Sequence, residues 1–183
     1  DLGQNQIKRS IHNPYYVFVH HSLVSHHMVY RPKAFQGFDA IMCVGPHHIS
    51  ELEEEEELFS IPKRNKIPHG YDRLDTLIDQ ANSQSFNKNS PPKVLIAPSW
   101  GKNAIIEGGY AEQIIASLLQ AGFYVTLRPH PRTFELAYRQ ISQLKQNFPN
   151  LLIDDCVMDA STILSCDLMI SDWSGVALEY AFA

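Results

Sequence analysis

Three stretches of the chain carry side chains suited to holding phosphate or moving a proton, and each follows an apolar, strand-like run. The last reads Ile170-Ser171-Asp172-Trp173-Ser174-Gly175 and continues as helix-forming residues through Glu179. A strand that runs into a polar turn and then a helix leaves a serine hydroxyl and free backbone N–H groups at a helix N-terminus, where anions bind. Glu179 lies just past the first helical turn. A carboxylate there does not bind phosphate, but it accepts hydrogen bonds from ribose hydroxyls. Together Asp172, Ser174, Gly175 and Glu179 suggest a nucleoside diphosphate held at the carboxyl end of a parallel sheet. Taken alone, the segment fits an ordinary strand-to-helix turn with a serine N-cap equally well.

The second stretch is Arg128-Pro129-His130-Pro131-Arg132, which follows the strand-like run 123–127. Its prolines fix φ on both sides of the histidine. Two guanidiniums and an imidazole at a strand's carboxyl end suit a pyrophosphate or a phosphoryl transition state. The alternative is a rigid turn whose arginines face solvent; position and chemistry together favour function. The third stretch, after 15–19, is His20-His21-Ser22-Leu23-Val24-Ser25-His26-His27. A histidine there can act as a general base. The spacing of these histidines matches no standard zinc pattern, and no cysteine or carboxylate joins them locally, so the metal reading is set aside. His47 and His48, at a helix start, read as surface residues. Ser99 and Lys102, after the run 93–97, either touch phosphate or belong to a simple loop. Trp173 is either core or a stacking wall.

The elements that position these stretches follow from periodicity. Runs at 15–19, 40–44, 66–68, 93–97, 123–127, 151–153 and 168–170 have strand character, rich in β-branched and aromatic residues. Pro46 opens a helix through about residue 59, and helices are predicted near 74–81, 111–121, 134–147, 160–164 and from 174 onward. Strands alternating with helices of this length imply parallel βαβ units. The Ser-, Asn- and Pro-rich stretch 82–92 reads as a linker between domains at 1–81 and 93–183. The acidic run 53–57 reads as a solvated helix face.

Composition narrows the classes. A net charge of -5 gives no basic field for nucleic acid. No uninterrupted apolar run is long enough to span a bilayer. The three cysteines are scattered; Cys43 and Cys166 sit in apolar runs and read as reduced core residues. Neither G-x-G-x-x-G nor a P-loop is present, so the common dinucleotide and NTPase readings lack support, and no Asp-x-Asp offers a clamp for a metal-bound nucleotide. The chain starts without Met and stops inside a predicted helix, which reads as a piece of a longer protein. Such a piece is expected to leave apolar faces uncovered and to aggregate on its own.

In chain order stand His21-Ser22, His69-Gly70-Tyr71-Asp72-Arg73-Leu74-Asp75, Val94-Leu95-Ile96-Ala97-Pro98-Ser99-Trp100, Arg128-Pro129-His130-Pro131 and Ser171-Asp172-Trp173-Ser174-Gly175. This series resembles the CDP-glycerol glycerophosphotransferase family, which builds teichoic-acid-like and capsular glycerol-phosphate polymers. The resemblance implies an α/β, GT-B-like fold with two Rossmann-like parallel sheets, both incomplete here: the end of an acceptor-side domain, then a nucleotide-binding domain. It implies a transferase that moves glycerol phosphate, or a related polyol phosphate, from a CDP-activated donor to an acceptor hydroxyl and releases CMP. The piece itself is expected to be inactive without the missing parts of its parent chain.

The family's first motif, usually His-Gly-Thr-Pro-Leu-Lys, supplies a proposed catalytic base. Here it departs to His20-His21-Ser22-Leu23, and His21, one residue further into the loop, is taken for that role. The second functional histidine maps onto His130. Arg128, Arg132, Ser99, Asp172, Ser174, Gly175 and Glu179 are expected to bind phosphate and nucleotide. The family implies no cofactor, and it implies a membrane-linked or polymeric saccharide or polyol-phosphate acceptor met at the cytoplasmic face of the membrane. A similar Ser-Gly-x-x-x-Glu turn occurs in UDP-N-acetylglucosamine 2-epimerases. A UDP-sugar enzyme of GT-B type and a noncatalytic interaction domain therefore stay open as alternatives.

Overall fold

The computed structural model describes residues 2, 7–83, 91–156 and 159–183. They fall into two compact units, 1–73 and 74–183. Each is built on a wholly parallel sheet with helices in its crossovers. The predicted linker at 82–92 lies for the most part outside the described residues.

The first unit has strands β1 (Val17–Val19), β2 (Ala40–Cys43) and β3 (Asn65–Pro68), in spatial order β1-β2-β3. Helices α1 (His26–Val29) and α2 (Pro46–Leu58) lie in the two crossovers. The central strand is the most apolar, as expected of a parallel strand covered on both faces. Ile41 and Cys43 pack with Phe35 and Leu52, and Phe18 and Tyr30 close around them. Pro46 occupies the first turn of α2, where its missing N–H costs nothing.

The acidic run on α2 is not uniformly a solvated face. Glu56 is only 5% exposed. Its carboxylate accepts from Arg64 Nε at 3.0 Å, Arg64 N at 2.9 Å and Lys66 Nζ at 2.6 Å. A run of five glutamates wraps more than a full helical turn, so one must face inward, and cations from the β3 strand and its approach meet it there. Burial pushes the Glu56 carboxyl up, but the bonds from Lys66 and Arg64 outweigh burial and hold it below the usual range.

The helix α3 (Asp72–Ser83) follows β3 in the chain. The second unit then has β4 (Lys93–Ile96), α4 (Ala111–Gln120), β5 (Tyr124–Leu127), α5 (Pro131–Leu136), α6 (Tyr138–Asn147), β6 (Leu152–Ile153), α7 (Ser161–Ser165), β7 (Leu168–Ile170) and α8 (Gly175–Phe182). The spatial order is β6-β5-β4-β7. The period of two sorts the side chains of β4 and its exit: Ile96 packs with Ile115, Leu127 and Ile141 on one face, Leu95 and Ala97 with Ile163 on the other. The chain steps outward from β4 to β6, then returns to the far side of β4 as β7. The order reverses between β4 and β7, and a crevice outside the carboxyl ends at such a reversal is where open α/β sheets bind ligands.

Most predicted elements recur within a residue or two. One differs: the helix expected over 134–147 is two helices. His130 caps α5, Pro131 takes its first turn, and Ala137 leaves helical geometry at φ -129° before α6 begins. The Arg-Pro-His-Pro loop therefore ends as a helix start.

Glu56→Ala leaves the Arg64 guanidinium buried without its main partner and is expected to cost about 3–5 kcal/mol. Glu54→Ala, on the solvent side of the same helix, leaves stability unchanged. Urea unfolding of both variants checks this; equal midpoints would show that Glu56 does not turn inward.

Candidate functional site

In the second unit the exits of β5, β4 and β7 lie side by side, so the loops that follow them share one sheet edge. Asp172 ties two of them together. One carboxylate oxygen accepts the Ser99 N–H at 2.5 Å and the other the Ile105 N–H at 3.0 Å. The neighbouring Ser171 hydroxyl donates to the Ala97 carbonyl at 2.6 Å. The loop after β4 is thus held across the sheet reversal by the turn after β7. Gly101, at φ +116°, supplies a backbone conformation in that loop that side chains resist.

His130 is half-buried, and its Nδ1 accepts the Arg132 backbone N–H at 3.1 Å. An accepting Nδ1 places the neutral ring's proton on Nε2. Nε2–H is therefore a donor available to a ligand. Burial lowers the pKa of His130, Glu107 opposes the shift, and Arg132 adds to it, which favours the neutral ring. The Arg132 guanidinium stacks 5.3 Å over the Trp100 ring, whose centroid is 6.0 Å from that of His130. Arg132 also pairs with Glu135 at 3.0 Å, but both are well exposed and the pair is easily exchanged for a ligand.

Ser174 is the N-cap residue of α8, yet its hydroxyl makes no capping bond. The hydroxyl and the first N–H groups of α8 meet at the β7 exit, beside the sheet reversal, with Gly175 as the first helical residue. Trp173 is 69% exposed, which excludes a core role. Glu179 is buried on α8.

Two expected phosphate ligands have other work. Arg128 is buried, and its guanidinium is committed to Asp154, at 2.8 and 2.5 Å, and to the Asp159 carbonyl at 2.8 Å. Asp172 spends both oxygens on backbone N–H groups. These residues position loops. Sequence reasoning missed this because their partners are distant along the chain. It also missed Glu107, which accepts from the Thr133 hydroxyl at 2.8 Å and so joins the β4 loop to α5.

In the first unit His21 is exposed after β1, and its carbonyl accepts the Tyr71 hydroxyl at 3.1 Å. His20 turns inward, as alternation requires. It meets His26 from α1 and His48 from α2; His48 is 0% exposed, which corrects its reading as a surface residue. His48 lies on the inward side of the first turn of α2, and its ring stacks on His26 at 4.0 Å between centroids. Burial, reinforced by the neighbouring imidazoles, lowers the pKa of His20 and of His26 to about 3. Burial also lowers that of His48, against a hydrogen bond to the Val24 carbonyl.

Asp172→Ala removes two charge-assisted bonds and is expected to cost about 1.5–3 kcal/mol in urea unfolding. It should also alter the tryptophan fluorescence by releasing the loop that carries Trp100. An unchanged spectrum and midpoint would mean that the loop holds itself. The buried histidines set a pH dependence. Unfolded histidines titrate near 6.5, so below that pH the unfolded state binds protons that the folded state refuses. Stability is then full above about 6.5 and falls toward pH 3, by up to about 1.4 kcal/mol per pH unit for each of His20 and His26. Urea midpoints at pH 7 and 5.5, with a chelator present so that only protons compete for the rings, test this; equal midpoints would contradict it.

The family described as CDP-glycerol:poly(glycerophosphate) glycerophosphotransferase matches residues 42–183. The match runs from β2 through α8 and includes His130, Ser174 and Glu179, whereas His20, His21 and His26 precede it. No curated protein matches the chain. Among the described residues, no helix is long and apolar enough to cross a membrane. The matched span covers the whole second sheet, with the β4, β5 and β7 exits at one edge, and of the first sheet β3 and the end of β2; the chain belongs to the CDP-glycerol:poly(glycerophosphate) glycerophosphotransferase family.

Proposed function

We propose that the chain carries the donor-binding part of an enzyme that transfers glycerol phosphate, or a related polyol phosphate, from a CDP-activated donor to a hydroxyl of a cell-envelope or capsular polymer. The observation that carries this reading is the set of donors at the exits around the sheet reversal. These are the uncapped Ser174 hydroxyl and first-turn N–H groups of α8, with the Nε2–H of His130 at the exit of β5. Such donors, fixed before substrate arrives, stabilise the charge that develops on a transferring phosphoryl group. Ser99 and Arg132 flank them, and Glu179 is the candidate acceptor for the ribose hydroxyls. Arg128 and Asp172 act one step removed, by fixing the loops.

In this reading the acceptor oxygen attacks the β-phosphorus in line. The bond between that phosphorus and the bridging oxygen breaks, and CMP leaves with the electron pair. The acceptor's proton passes to an imidazole, and His21, the exposed ring after β1, is the candidate. The acceptor is proposed to be a membrane-linked or polymeric chain, which places the work at the cytoplasmic face of the membrane.

Kinetics with CDP-glycerol on the full-length enzyme test the roles. Ser174→Ala and His130→Ala each remove a phosphate donor and should lower kcat/KM by roughly 10–100-fold, a loss of about 1.5–3 kcal/mol. His21→Ala should lower kcat by roughly 10²–10⁴-fold and leave CDP affinity intact. Calorimetry with CDP and UDP separates the donor classes. Tighter UDP binding would favour a UDP-sugar enzyme, and the absence of any nucleotide binding would overturn the reading.

A further inference from the structure

Three imidazoles that the proposed chemistry does not use converge inside the first unit. His20 lies just past β1, His26 in α1 and His48 in α2, and all three are at least nine-tenths buried. One ring nitrogen from each lies within 4.8 Å of the other two. The His20 and His26 Nε2 atoms face each other at 2.8 Å. Two neutral nitrogens at that distance share a single proton.

The outer nitrogens are arranged differently. His48 Nε2 lies 3.0 Å from the Val24 carbonyl, which only accepts, so Nε2 carries the proton. The lone pair is then on His48 Nδ1, which is buried with no hydrogen-bond partner. His26 Nδ1 lies 3.7 Å from Glu51 Oε2, and the same carboxylate accepts the His26 backbone N–H at 2.7 Å. A buried lone pair without a partner is costly, and a cluster of them is more so.

We propose that His20, His26 and His48 form a binding site for a zinc-class divalent cation. The ligands are His20 Nε2, His26 Nε2 and His48 Nδ1. The outer atoms have the kind of partner that ligating imidazoles use: a backbone carbonyl bonded to His48 Nε2, and a carboxylate 3.7 Å from the otherwise unpartnered His26 Nδ1, which becomes a hydrogen bond if the ring shifts by about half an ångström. Tetrahedral zinc holds two imidazole nitrogens roughly 3.3 Å apart, so the His20–His26 pair opens by roughly half an ångström and His48 closes in. The proton between His20 and His26 moves to His20 Nδ1, and no net proton is released. A cavity of about 290 Å³ lined by His26, Tyr30, Phe35 and Glu51 reaches the cluster at His26, the side from which an ion would enter. All three ligands are nitrogen, which suits zinc or its cobalt stand-in over magnesium or calcium. Bound there, the ion ties the exit of β1, α1 and α2 into one piece.

The test is a titration of purified full-length protein, stripped with a chelator and shown to be folded by circular dichroism. One equivalent of Co²⁺ is expected to give the visible bands of a tetrahedral site, and one equivalent of Zn²⁺ to abolish them. His48→Gln should weaken Co²⁺ by more than roughly 100-fold and Glu51→Gln by roughly 10–100-fold. His12→Gln, an exposed control, should bind as the parent does. If His48→Gln fails to fold, Glu51→Gln decides, because its amide oxygen still accepts the His26 N–H. The proposal is overturned if the folded parent takes up neither metal near equivalence, if Glu51→Gln binds like the parent, or if His12→Gln loses binding as His48→Gln does.

Discussion

A single carboxylate holds the candidate phosphate site together. Asp172 accepts two backbone N–H groups from the loop after β4, and it sits in the turn after β7. These two strands are neighbours in space although more than seventy residues part them in sequence. Backbone N–H groups at a sheet edge need partners, and water is a mobile partner. A fixed carboxylate makes the loop rigid. Trp100 and Ser99 are positioned through that loop, and the Ser171 bond to Ala97 locks its base. Donors that act on a transferring phosphoryl group help only if they need no reorganisation when charge develops. Under the proposed function, the clamp meets that condition.

The same logic governs the β5 exit. Arg128 looks like a phosphate ligand, but its guanidinium fills the gap between the β5 exit and the segment after β6, against Asp154 and the Asp159 carbonyl. A buried guanidinium needs its donors occupied, and a fixed carboxylate meets that need without a ligand. The result is an arginine that fixes the backbone on which His130 sits. His130 Nδ1 then accepts the Arg132 N–H, which leaves the ring's proton on Nε2. A neutral imidazole locked in one tautomer by the start of its own helix is a directional donor and not a diffuse charge.

The two units also differ in how they use histidine. In the second, one imidazole sits half-buried at a strand exit. In the first, His20, His26 and His48 are taken out of water together; His20 and His26 pack against Phe35, and His48 stacks on His26. Burial of polar rings is costly where their nitrogens lack partners, and here only His20 and His26 pair with each other and His48 Nε2 with a carbonyl, while Nδ1 of His26 and of His48 has no hydrogen-bond partner. The strand alternation that puts His20 inside also puts His21 outside, so one dipeptide serves the interior and the surface.

Much was legible in the residues alone. The apolar runs and helical periods located nearly every element, because a parallel α/β unit must bury its strands and one stripe of each helix. Strand exits carrying Ser174, His130 and Ser99 followed from the same pattern, since such sheets collect their loops at one edge. What the residues could not specify was which polar group spends its hydrogen bonds on the protein. Arg128 and Asp172 read as ligands because their partners, Asp154 and the N–H groups of Ser99 and Ile105, are remote in sequence. Glu56 read as solvated because only the fold brings Arg64 and Lys66 beneath it. The histidine cluster was invisible for the same reason: His48 joins His20 and His26 only through the pairing of β1 with β2 and the packing of α2. Local sequence determined the elements and the chemistry available at their ends. Tertiary structure alone decided which of those groups are paired and which face outward, because pairing depends on distances that the chain sets only when its strands are side by side.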